Sequence, residues 1–179
     1  MRSGPQGVED INRVVAQMLF EEGLLPAAAG WTLGRPAMVT RNDHELGLMN
    51  GDVGITLALP RAEDDVPANA GARSAARSVL CVAFPGAHDG ADIRWVLPSR
   101  LQAVETVFAM TVHKSQGSEF VHAALLLPDR MSPVLTRELV YTGITRARHW
   151  FTLATSGRGD AVLQQAVARR VTRAGGLLD

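Results

Sequence analysis

The chain has 179 residues, of which 46% are hydrophobic and 20% charged, and its formal net charge is zero. That size suits one compact domain, or one domain with a small insert, and the neutral balance excludes a global field that would draw the chain onto nucleic acid. No apolar run approaches the ~18 residues needed to cross a bilayer and no signal-peptide pattern opens the chain, so the expected address is the cytoplasm.

Residues 1–7 carry no periodicity, and the chain reads as if it began inside a longer protein. "VEDINRVVAQMLFEEG", 8–23, predicts a helix, with Val8, Ile11, Val14, Val15, Met18 and Leu19 at three- and four-residue spacing and Gly23 at its end. After a Pro/Ala/Gly connector, 35–43 predicts a strand, and Asn50-Gly51-Asp52 marks a turn between apolar arms. Residues 60–77 predict a mobile loop with a solvated acidic tip at Glu63, Asp64 and Asp65. "SVLCVAF" (78–84) and "IRWVLPSRL" (93–101) predict short strands. The only cysteine, Cys81, lies in the first of these, which makes it a small core residue and excludes an intrachain disulfide or a cysteine-rich zinc site. Residues from about 36 to 101 thus predict several strands with no helix between them, a pattern that suits a small antiparallel barrel.

The pattern changes at 104. "VETVFAMTVHKS" and "FVHAALLLP" predict buried strands of a parallel sheet, followed by a helix from near Thr136, a buried strand over 149–156 and an amphipathic helix over 159–175 closed by Gly175-Gly176. This order predicts an α/β layer fold with the β-only block inserted into it.

"TVHKSQGSEF", 111–120, contains Lys114, the only lysine in a chain whose other Lys-plus-Arg positions are all arginine. A buried strand over 104–113 would deliver residues 113–119 to the carboxyl edge of the sheet, where open α/β sheets bind ligands. Thr111, His113, Lys114, Ser115 and Gln116 would offer donors suited to phosphate oxygens. Gly117 allows close backbone approach, and Glu119 is an acceptor suited to a sugar hydroxyl. The same residues also suit a polar strand-end turn with no ligand. In "ELVYTGITRARHW", 138–150, a continuous helix would set Arg146 and Arg148 about 200° apart. Only one of them could then enter a cleft, with Arg146 able to reach past Gly143, and both could equally be surface arginines. The five histidines do not pair at metal-binding spacing, so no metal site is expected.

"MTVHKSQGSEF" followed by "RELVYTGITRAR" resembles helicase motifs V and VI of superfamily 1. With "GRPAMVTRNDHELGLMNGDVGI" and "GPQGVEDINRVV", the chain resembles the RecD family, the alpha subunits of the bacterial exonuclease V (RecBCD) complex. Conjugative relaxase-helicases share much of the pattern, and a non-catalytic DNA- or protein-interaction module is an alternative of another class. The resemblance implies a second RecA-like motor domain over 1–44 and 102–179, with an SH3-like β subdomain inserted at 45–101. It implies 5′–3′ helicase activity in double-strand break repair and recombination, in company with RecB- and RecC-like subunits. Thr111, His113, Lys114, Ser115 and Gln116 would contact single-stranded DNA, Gly117 and Glu119 would serve the nucleotide, and Arg146 would be the catalytic arginine finger. No G-x-x-x-x-G-K-[ST] run occurs anywhere. ATP and Mg²⁺ are therefore expected only together with a first motor domain preceding residue 1, and the chain alone is expected not to hydrolyse ATP.

Overall fold

The computed structural model describes residues 7–60, 78–86, 92–155 and 157–170. They divide into two compact units that part between Ala109 and Met110. The acidic trio and its loop, and the end of the last predicted helix at Gly175-Gly176, lie outside the described residues.

The first unit holds a helix, α1 (Val8–Glu21), and strands β1 (Pro36–Val39), β2 (Val53–Pro60), β3 (Ser78–Pro85), β4 (Ile93–Val96) and β5 (Val104–Thr106). The strands form one sheet in the order β4-β3-β2-β1-β5, and every pairing is antiparallel. β1 is joined to β2 through the expected turn, where Gly51 takes φ 99° and its N–H donates to the Val39 carbonyl. Glycine adopts such a φ without the penalty a Cβ imposes. The core of the sheet is Ala37, Val39, Leu48, Val82, Phe84 and Val96, and Cys81 is buried as expected. Among the described residues β4 and β5 are edge strands that do not pair with each other, and the closed barrel expected from the sequence is not seen there. Arg35 ties the connector to this sheet: its guanidinium lies 4.5 Å from the Trp31 ring centroid and donates to Thr106 Oγ1 and the Gly30 carbonyl. Burial lowers its pKa from the usual value.

Helix α1 is where the sequence places it, but its inward face is shifted. Asn12 and Ala16 are the buried positions, while Val14 and Met18 are 41% and 58% exposed. The cause is a side-chain clamp. Asn12 Nδ2 donates to the Ala109 carbonyl at 2.8 Å, and Ala109 N–H donates to Asn12 Oδ1 at 2.9 Å.

That clamp also corrects the strand expected over 104–113. β5 ends at Thr106; the backbone groups of Ala109 are satisfied by an amide side chain rather than a neighbouring strand, and the segment belongs to the antiparallel sheet. A backbone whose polar groups find such partners has no need of a ladder.

The second unit holds β6 (Phe120–Leu126), α2 (Arg137–Ile144), β7 (Ala147–Ala154) and α3 (Gly159–Ala168). β6 and β7 pair in parallel from Phe120↔Ala147 to Leu126↔Ala154, as the sequence leads one to expect, with α2 in the crossover. Thr136 caps α2, its Oγ1 accepting from Leu139 N–H. The core is Leu127, Leu135, Val140, Val162 and Ala166, flanked by Leu125 and Leu139. The two strands are not buried as expected: positions 148–153 of β7 are all exposed, Trp150 at 70%. Among the described residues this sheet has two strands, with an apolar cluster on the side of α2 and α3.

Candidate functional site

The segment 111–117 is a near-helical turn, not the end of a strand. Thr111 carbonyl accepts from Lys114 N–H at 3.0 Å and from Ser115 N–H at 3.2 Å, and Thr111 Oγ1 accepts from Lys114 N–H at 3.3 Å. Ser115 is buried and its hydroxyl donates to the Val112 carbonyl at 2.8 Å. Its side chain therefore shapes the turn from inside. Gly117, at φ 87°, turns the chain out again toward β6. His113, Gln116, Gly117, Ser118 and Glu119 are exposed, while Thr111 and Lys114 are half-buried.

Arg146 lies in the two-residue link between α2 and β7, so the helical geometry expected for Arg146 and Arg148 does not hold. α2 stops at Ile144; in its last turn Thr142 Oγ1 donates to the Glu138 carbonyl, and just beyond it Thr145 Oγ1 donates to the Thr142 carbonyl. The chain then enters β7, with Phe120 N–H donating to the Arg146 carbonyl at 2.8 Å. Gly143 gives no passage to Arg146. A Cβ there would stand 3.2 Å from Leu125 Cδ1 and Cδ2, so its bare Cα lets α2 approach β6.

The two sequence motifs meet through side chains. The half-buried Arg146 guanidinium donates from Nε to the Thr142 carbonyl (3.1 Å), from Nη1 to the Ser118 carbonyl (3.0 Å) and from Nη2 to Thr145 Oγ1 (3.2 Å). Three of its five N–H donors are engaged among the described residues, leaving one on each terminal nitrogen. Arg148, at the start of β7, donates from Nε to Glu119 Oε2 at 2.8 Å, with both side chains more than half exposed. Thus Ser118, Glu119, Arg146 and Arg148 gather at the amino ends of β6 and β7. The expectation of a site at the carboxyl edge is corrected: the strand meant to deliver the turn ends at Thr106, and the turn instead feeds into β6.

Sequence reading missed Thr145, whose only signal is a hydroxyl beside the arginine. Tyr141, in the same motif, is 67% exposed. Among the described residues no group of three or more His, Cys, Asp or Glu could hold a metal ion, and no helix is long and apolar enough to cross a membrane.

Residues 106–154 match the UvrD-like helicase C-terminal domain. The chain is 36% identical to the RecBCD enzyme subunit RecD of Haemophilus influenzae, over 99% of this chain and 23% of the relative. It is 40% identical to the RecBCD enzyme subunit RecD of Mycobacterium tuberculosis, over 98% of this chain and 27% of the relative. The ATP-dependent RecD2 DNA helicase of Deinococcus radiodurans is 32% identical over the full chain and 22% of its own length. The chain thus spans about a quarter of the length of these relatives. Among solved structures, a Bacteroides Pif1 helicase in complex with ADP-AlF3 and single-stranded DNA aligns over 88% of this chain and 42% of its own, at 16% identity and a TM-score of 0.47.

Proposed function

We propose that this chain, similar to RecD subunits across nearly its whole length, is the second motor domain of an ATP-dependent 5′–3′ DNA helicase subunit acting in double-strand break repair and recombination. The observation that carries the reading is the join between the two motifs. A turn bearing His113, Lys114 and Gln116 is linked to the Arg146 guanidinium through the Ser118 carbonyl, so a strand-contacting turn and a phosphate-approaching cation share one mount. His113, Lys114 and Gln116 reach toward single-stranded DNA, Thr111 and Ser115 hold the turn in shape, and Gly117 with Glu119 serves the nucleotide side.

The motor domain comprises 1–44 and 102–179, and 45–101 is an SH3-like insert. This division follows the resemblance to RecD subunits, and the pairing of β1 with β5 joins the two segments that flank the insert. ATP binds between this domain and a first motor domain that carries the phosphate-cradling loop and the magnesium ligands; no residue of this chain is assigned to Mg²⁺. Arg146 turns its two remaining N–H donors on the transferred phosphoryl group, where such fingers contribute about 10³–10⁵ in rate. The partners are single-stranded DNA and RecB- and RecC-like subunits, in the cytoplasm.

In a full-length subunit carrying this sequence, Arg146→Ala is expected to collapse DNA-stimulated ATP hydrolysis by at least about 10³-fold while single-stranded DNA is still bound. Unchanged turnover would remove Arg146 from the reaction.

A further inference from the structure

The guanidinium of Arg146 is useful as a finger only if it stays where nucleotide arrives. Arginine has many rotamers, and holding one conformation has an entropic cost each time it must be found. Here the terminal nitrogens are steered by two acceptors. One is a backbone carbonyl, Ser118, at the more exposed end of the clasp. The other is a side chain, Thr145, in a partly buried setting. Thr145 Oγ1 is itself oriented: it donates its single proton to the Thr142 carbonyl at 3.0 Å, which turns its lone pairs toward Arg146 Nη2. The same Thr142 carbonyl accepts from Arg146 Nε, so carbonyl, hydroxyl and guanidinium close a small ring of hydrogen bonds.

We propose that Thr145 is a positioning residue for the finger: its hydroxyl fixes the guanidinium plane so that the two unengaged N–H donors face the phosphoryl group. The proposal rests on Arg146 acting as the finger. Thr145 touches no substrate itself. Its loss raises the barrier of the chemical step, where orientation counts, and leaves nucleotide binding nearly unchanged.

The test is steady-state ATPase kinetics with saturating single-stranded DNA, in a full-length subunit carrying this sequence, on Thr145→Val, Thr145→Ser, Arg146→Ala and the Thr145→Val/Arg146→Ala double variant. Thr145→Val keeps the shape and removes the hydroxyl; it is expected to lower kcat about tenfold with KM within about twofold. Thr145→Ser retains both hydrogen bonds and is expected to restore the rate. In the double variant the threonine change is expected to cost nothing beyond Arg146→Ala. If Arg146→Ala collapses turnover while Thr145→Val matches the parent, or if the two losses multiply, the positioning role is overturned and the finger stands. If Arg146→Ala itself leaves turnover intact, the finger reading fails and this inference falls with it. Should Thr145→Val fold poorly, Thr145→Ala against Thr145→Ser, compared at matched soluble, DNA-bound enzyme, decides the same question.

Discussion

Lys114 is the lone lysine among seventeen arginines, and its setting gives that choice a physical sense. Its N–H is absorbed by Thr111 in the turn, while its ammonium is a compact charge with three rotatable donors, unlike the planar fork of arginine. A compact point charge can meet a phosphate without bidentate alignment. In a full-length subunit Lys114→Ala is therefore expected to weaken single-stranded DNA binding and to reduce the slope of log K against log salt by about one. A slope that does not move would take the phosphate contact away from Lys114. The outward donors of this turn are fewer than the residue types suggest, because hydrogen bonding turns Ser115 inward.

At the scale of elements, type was easier to read than extent. Periodicity located α1, α2 and α3, short apolar runs and turn chemistry located the strands from β1 to β4, and the apolar run at 120–126 located β6. The ends were decided by partners remote in sequence. Asn12 reaches a backbone group 97 residues away, and no local pattern announces that contact. One strand carries a strong steric demand. A Cβ at Gly54 would stand 2.8 Å from the Ala83 carbonyl oxygen, Phe84 Cδ1 and Val82 Cγ1, atoms fixed in the neighbouring strand and core. Gly54→Ala is expected to destabilise the chain by about 1–3 kcal/mol, read as a lower urea midpoint with an unchanged slope. Gly143 is more tolerant, since its neighbours are the ends of a leucine.

For the molecule as a whole, the expected consequence is dependence on a complementary domain. The proposed function gives Arg146 to the phosphoryl group, but the sequence contains no G-x-x-x-x-G-K-[ST] loop to cradle the phosphates. The purified chain is expected to show no ATP hydrolysis above background, with or without single-stranded DNA, in a phosphate-release assay. Measurable turnover would mean that phosphate is held by residues assigned no such role. The chemistry-bearing residue types, their order along the chain and the missing phosphate loop could all be read from the sequence, because motifs are written in consecutive residues. Where those residues meet could not. The end of β5 at Thr106 and the gathering of Ser118, Glu119, Arg146 and Arg148 at the amino ends of two strands both follow from hydrogen bonds between distant segments. Local pattern sets what a segment prefers, whereas long-range pairing of its polar groups sets where it stops and what it faces.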